Sequence, residues 1–350
     1  MKNILLESLK EFCKQALLKA GMNSQDAAVT AEVLSETDAF GTNSHGTKNL
    51  YGYIEKARVG GVSLTAQPTV EQEGPAFALM NANNCIGMVS GFRAMELAIE
   101  KAKQCGIALV TVKNGTHFGA AGYYANMAAR QGMFGIVMSN VDPNMTVPGA
   151  RGMIIGNNPF AYASPLPEED SCFLDIALSN VASLKVVQAR KDGKSIPDTW
   201  IVDREGQPTT DPSHYPEEGA MQPMAMHKGY GLAVFVELLT GVLSGGCISS
   251  LGEIPSWCFV PEKPNRVCNT FIVIDVAQFS GRESYLARSE AFMDALHNAD
   301  KAKNADRIYV PGEMEWERYH KAQTMLTLPD AVADSLAKLS IDIGVPILWA

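Results

Sequence analysis

The chain has 350 residues, of which 46% are hydrophobic and 19% charged, and carries a net charge of −9. That is enough apolar material for a sizeable core and room for two domains. The acidic balance and the lack of any basic run exclude nucleic acid and anionic membrane surfaces as expected partners. No apolar stretch reaches the ~20 residues that span a bilayer; one of the longest, 229–243, includes Glu237 and several glycines. The seven cysteines (13, 85, 105, 172, 247, 258 and 268) form no CxxC pair and no mixed cluster with histidine. They predict free thiols in a reducing cytoplasm, with no metal site.

The first residues are amphipathic and carry Glu7 and Glu11, so they predict a helix and not a cleavable leader. Apolar positions at helical spacing continue through 4–37, broken at Gly21-Met22-Asn23-Ser24, which predicts a helical hairpin with Ser24 as the second N-cap. A third helix is predicted over 43–58, ended by Gly60-Gly61, with an extended stretch over 63–70. Beyond Phe77 the pattern alternates between apolar runs and Ala/Met-faced helices. A helix over 89–105 leads to a strand over 107–112, a loop over 113–119, a helix over 120–131 and a strand over 134–139. This is the punctuation of an α/β protein with buried strands. Further strands are expected over 160–164, 173–176 and 270–276, with helices over 229–243 and 281–298. The Asp-, Pro- and Gly-rich segment 191–224 predicts an excursion over the surface. The division expected is a helical region over 1–75, an α/β core over 76–330 and a C-terminal segment over 331–350.

A G-x-G-x-x-G turn after a strand would mark a Rossmann dinucleotide site, and none is present; Gly115, Gly119 and Gly122 have the wrong spacing. Six histidines remain. His45 in Asn43-Ser-His-Gly46 and His117 in Gly115-Thr-His-Phe-Gly119 sit in small, glycine-bearing loops at element boundaries. Glycine neighbours let a ligand approach closely, and an imidazole is a natural proton carrier for a carbonyl/alcohol pair. Each is equally compatible with a hydrogen-bonded structural histidine. His214, His297 and His320 lie in polar surroundings and are expected at the surface. Ser44 or Ser139 as a hydrolase nucleophile lacks the G-x-S-x-G elbow.

Eight segments taken in order are more specific. They are Asp38-x-x-Gly41-x-x-Ser44-His45-Gly46, Gly115-Thr-His117-x-Gly119, Ser139-x-x-Asp142-Pro143, Gly156-Asn-Asn-Pro159, Phe173-Leu-Asp175-Ile-Ala177, Ser195-Ile-Pro-Asp198-Thr-Trp200, Lys228-Gly-Tyr-Gly231 and Val310-Pro-Gly312-Glu313. Together they resemble the malate/L-lactate dehydrogenase-like family, over roughly residues 5–330. The resemblance implies a homodimeric α/β enzyme with a non-Rossmann NAD(P)-binding fold of the sulfolactate/malate dehydrogenase type, acting on a small 2-oxo or 2-hydroxy acid. It assigns acid/base work to His45 or His117, with Asp142 in the same catalytic group. It places NAD, or NADP, against Asp175, Ile176 and Ala177, the His227-Lys228 pair, and Gly312 and Glu313. Glycines at the 228–231 helix start would leave free N–H groups for a pyrophosphate, with Lys228 adding charge. Asp142 is equally suited to orient His117.

Ser44, Lys48, Asn49 and Tyr53 are the expected substrate-binding residues. Asn49 departs from the family, which commonly has arginine four residues after the Ser-His-Gly histidine, suited to clamp a carboxylate. Reduction of a cyclic imine acid, or cofactor binding without catalysis, are the alternatives the same resemblance leaves open.

Overall fold

The computed structural model describes residues 1–168 and 170–350. The chain runs β1 (Lys2–Ile4), α1 (Leu6–Lys19), α2 (Ser24–Ala39), α3 (Leu50–Arg58), β2 (Thr69–Gly74), β3 (Phe77–Asn81), α4 (Gly87–Cys105), β4 (Ile107–Gly115), α5 (Ala121–Arg130), β5 (Phe134–Ser139), β6 (Phe160–Pro165), β7 (Ser171–Ile176) and α6 (Ser183–Lys191). It continues through β8 (Ile201–Val202), β9 (Pro208–Thr209), β10 (Ala220–Met221), α7 (His227–Glu237), β11 (Val267–Ile274), α8 (Arg282–His297), α9 (Glu313–Thr324), β12 (Leu326–Leu328) and α10 (Asp330–Ile343).

The centre is a seven-stranded sheet in the order β2-β3-β4-β11-β5-β6-β7. Only β3 and β4 pair parallel, with α4 as their crossover; the other neighbours are antiparallel. This is mixed α/β architecture without the parallel, doubly wound sheet of a Rossmann domain. Residues alternate across the sheet as the pleat demands. Val137, Phe271 and Val273 face a core shared with α1, α2, α4, α5 and α10. Ile136, Met138 and Ile272 face a second core with Ala233 and Val236 of α7.

Several local expectations change. The second N-cap is Asn23, whose Oδ1 accepts the Asp26 N–H at 3.0 Å, and Ser24 is the first helical residue. Helix α3 begins at Leu50, after a single turn at Thr47–Asn49, and not at residue 43. Its would-be first turn is instead wrapped around the Asp38 carboxylate, which accepts the Thr47 N–H and the Asn43 side-chain amide, each at 2.9 Å. Of the extended segment expected over 63–70, only Thr69 and Val70 are strand, as the start of β2 (Thr69–Gly74). Segment 191–224 is not a surface excursion. It folds β8, β9 and β10 into a small sheet and buries Ile196, Ile201, Tyr215 and Met221 in the second core. Two-residue strands leave no periodicity to read.

The regions expected over 1–75, 76–330 and 331–350 meet at several elements. Strand β2, within the region expected to be helical, is an edge of the central sheet. β1 pairs with β12, and α10 packs on α1 and α3, so the C-terminal segment completes the N-terminal helical layer. Among the described residues no helix is long and apolar enough to cross a membrane, and no group of three or more His, Cys, Asp or Glu side chains could hold a metal ion.

Candidate active site

The site grows from the C-terminal end of α2. Buried Asp38 gathers the following loop through Thr47 and Asn43, and a Cβ on Gly46 would collide with its carboxylate, so only glycine fits beside the Ser44-His45 pair. Burial pushes the Asp38 carboxyl up to about 6, against the lowering effect of the Asn43 and Thr47 hydrogen bonds. The loop is tied at its other end by Asn49, whose Nδ2 donates to the Ser44 carbonyl at 2.9 Å. Ser44 Oγ lies 2.9 Å from His45 Nδ1. Though His45 stays exposed on one side, loss of surrounding water holds its pKa below the ordinary value.

His117 follows β4, and its ring stacks on His45 with centroids 5.3 Å apart, so residues 72 positions apart in sequence meet. Tyr53, one turn beyond Asn49 on α3, places its hydroxyl 2.5 Å from His117 Nδ1. The Gly119 N–H points at the same nitrogen at 3.4 Å. A backbone N–H can only donate, and burial raises the Tyr53 pKa, so the phenol keeps its proton. Two donors converging on Nδ1 put the His117 ring proton on Nε2. Burial, with the neighbouring His45 as a smaller cause, lowers His117 to about 3. It is neutral near pH 7.

Among the described residues no hydrogen bond joins Asp142 to His117, whose Nδ1 faces the Tyr53 hydroxyl instead; burial raises the Asp142 pKa, with Ser256 as a smaller, lowering influence. Lys48 is half-exposed and makes no ion pair among the described residues, while its carbonyl accepts the Ser335 hydroxyl at 2.8 Å.

Sequence reasoning missed Trp257, carried by the loop before β11. Its ring stacks on His117 at 4.9 Å and on Tyr53 at 5.4 Å. It also missed Glu237, the one acid in an apolar helix. Glu237 is buried and accepts from Asn140 Nδ2, Asn158 Nδ2, the Ser249 N–H and the Ser249 hydroxyl, at 2.8–3.0 Å. Asn158 in turn accepts the Val141 N–H at 3.2 Å, which gives the Gly156-Asn-Asn-Pro159 motif a structural role in holding the Asp142 loop.

The three segments expected to hold cofactor are linked through β7 and the residues that follow it, at its two ends. The Pro311 carbonyl accepts the Phe173 N–H at 3.1 Å, and a Cβ on Gly312, at φ +97°, would strike Phe173. At the other end of the strand, the Leu178 carbonyl accepts the Met224 N–H at 2.8 Å, just before α7. Asp175 Oδ2 accepts the Gly122 N–H at 2.8 Å at the start of α5, while burial raises its pKa to about 6. Ile176 packs against the second core, and Ala177 follows it, half-buried.

Two of these segments show further local contacts. The Lys228 and Gly229 amides are spent on the Ala225 and Met224 carbonyls, at 3.3 and 2.8 Å, so the α7 start offers few free N–H groups. What it offers instead is the exposed side chains of His227 and Lys228. Glu313 is already engaged. One oxygen lies 2.8 Å from His297 Nε2 and 3.1 Å from Arg307, and the other accepts the Val310 N–H at 3.0 Å. His297 is therefore a half-buried partner and not a free surface residue. A cavity of about 470 Å³ near Gly21, Arg58 and Asn84 contains none of these groups.

Residues 4–337 match the family model described as malate/L-lactate dehydrogenase. The malate dehydrogenase of Pyrococcus horikoshii is 37% identical over 314 residues, covering 88% of this chain and 86% of that protein. The ureidoglycolate dehydrogenase (NAD(+)) of Escherichia coli is 34% identical over 316 residues, covering 90% and 89%. The solved structure of sulfolactate dehydrogenase from Methanocaldococcus jannaschii superposes with a TM-score of 0.91 at 31% identity, covering 99% of this chain and 98% of that one. Fold, motif order and matched length agree, and the chain belongs to the malate/L-lactate dehydrogenase family.

Proposed function

We propose that the protein is an NAD(P)-dependent dehydrogenase that interconverts a small 2-oxo acid and its 2-hydroxy acid, with His45 carrying the proton and His117 holding the reacting oxygen. The observation that carries this division is the pair of donors on His117 Nδ1. With its proton fixed on Nε2, neutral His117 presents an N–H that polarises a carbonyl oxygen, and it has no free lone pair with which to take a proton. Among the described residues His45 has only the Ser44 hydroxyl on its Nδ1, and it has an exposed face.

In reduction, a proton passes from His45 to the carbonyl oxygen as the carbonyl carbon gains a hydride; in oxidation, His45 accepts the alcohol proton. The nicotinamide, when bound, supplies or takes up that hydride. Burial lowers the pKa of His45, and a substrate carboxylate beside it would raise it by supplying an opposite charge. His227 and Lys228 fit the cofactor's phosphates, and the linkage of the 311–312 loop and the start of α7 to the two ends of β7 supports a dinucleotide site along that strand.

A homodimer is part of the same reading. Leu232, Phe235, Leu238 and Val242 recur at helical spacing along α7 and the turn that extends it, and each is 44–53% exposed. An apolar stripe of that kind calls for cover, here a second copy. Seven free cysteines agree with a cytoplasmic setting. The test is direct: purified protein with NADH or NADPH and a panel of 2-oxo acids should lose absorbance at the reduced-nicotinamide band. Binding of cofactor without turnover on any acid would overturn the dehydrogenase reading.

A further inference from the structure

Asn49, the N-cap of α3, and Tyr53 and Lys56 on the helix stand at positions i, i+4 and i+7. Asn49 fixes the His45 loop and Tyr53 fixes His117. Lys56 has the third task. It is only 2% exposed, and its ammonium donates to three backbone carbonyls, those of Val260 at 3.3 Å, Pro261 at 3.2 Å and Lys263 at 2.7 Å. A lysine buried against three carbonyls acts as a fixed cation that folds the 258–263 loop onto α3. The fit is close, because a Cβ on Gly61 would overlap the Pro261 carbonyl. The base of the same loop is closed by Asn265 Nδ2 donating to the Pro255 carbonyl at 2.6 Å. Trp257 lies within it, stacked on His117 and Tyr53.

We infer that Trp257 is the specificity-determining wall of the active site, restricting it to short, unbranched 2-oxo acids, and that Lys56 is the residue that positions this wall. The inference rests on the dehydrogenase reading above, because it takes His117 as the group that meets the substrate oxygen. A flat indole against that imidazole closes the space into which a branched or aromatic substituent would extend, and it keeps water from the ring that polarises the carbonyl. The nearest carbonyl that Lys56 holds, that of Val260, lies three residues after Trp257, so loss of the ammonium loosens the backbone that carries the indole.

The test compares wild type, Trp257→Ala and Lys56→Met on pyruvate, oxaloacetate, 2-oxoisocaproate and phenylpyruvate. Hydrophobic pockets discriminate by roughly 10- to 200-fold. Trp257→Ala should therefore raise the ratio of kcat/KM for the bulky acids over pyruvate by at least about tenfold. Lys56→Met should shift that ratio the same way by a smaller factor. It should also move the emission of Trp257, taken as the difference from the same protein bearing Trp257→Phe, to longer wavelength. Lys56→Arg, which keeps the donors, should restore both. A size preference within twofold of wild type in Trp257→Ala overturns the wall, and an unchanged Trp257 emission in Lys56→Met overturns the positioning. Should Lys56→Met fail to fold, Lys56→Gln gives the same two readings. Wild type that turns over none of the acids would refute the dehydrogenase reading separately, and the emission measurement would still decide the role of Lys56.

Discussion

The Tyr53 hydroxyl lies 2.5 Å from His117 Nδ1, so a side chain on the N-terminal helical layer sets the proton position of a histidine in the loop after β4. Tyr53→Phe keeps the ring stacking and removes the bond. The expected result is a fall in kcat on the order of tenfold with the NADH dissociation constant unchanged, since a typical hydrogen bond contributes roughly 0.5–1.5 kcal/mol. Steady-state kinetics with fluorescence titration of NADH measures both. A weakened cofactor with normal kcat would place Tyr53 elsewhere.

Asp38 makes a prediction about pH. Its pKa in the folded protein is about 6, above the ordinary 3.8, because burial favours the protonated form. Its contribution to stability is therefore full below about 3.8 and is lost as pH rises through about 6. In Asp38→Asn this titration is absent. The Tm advantage of wild type over the variant should narrow between pH 4 and pH 7, and a gap that widens instead would mean the carboxylate is held as an anion.

Lys228→Ala should weaken NADH binding by severalfold with little change in kcat, because an exposed cation at the α7 start attracts the cofactor equally in ground and transition states. Unchanged NADH affinity would remove α7 from the cofactor cleft.

Asn49 stands where the sequence resemblance leads one to expect arginine, and its amide is committed to the Ser44 carbonyl. Asn49→Arg should lower KM for pyruvate about tenfold, given roughly 1.5–3 kcal/mol for a charged hydrogen bond. It should also reduce kcat by loosening the His45 loop. An unaltered KM on every acid would show that residue 49 does not face substrate.

The alternation of apolar runs and helices made the β4–α5–β5 centre legible, because each element carries its own period. Short motifs around His45 and His117 were legible as loops that admit a ligand, and the fold brings the two rings together. What could not be read were residues whose role is set by distant partners. Lys56 reads as a basic residue near a helix end, and only the carbonyls of a loop some 200 positions away make it a clamp. Trp257 sits in a stretch with no periodicity. Glu237 interrupts an apolar helix, a local conflict that hinted at a buried network without naming Asn140, Asn158 or Ser249 as its partners.

The division of labour between the two histidines is the central claim, and glutamine replacements separate them. Gln retains an N–H donor but cannot carry a proton. General acid/base catalysis contributes on the order of 10²- to 10⁴-fold, so His45→Gln should lose activity on that scale. His117→Gln should lose much less, roughly the tenfold expected for an imperfectly placed hydrogen-bond donor. The measurement is kcat for reduction of the best 2-oxo acid, with NADH affinity checked in each variant. The account predicts the larger loss at His45, and a larger loss at His117 would contradict it.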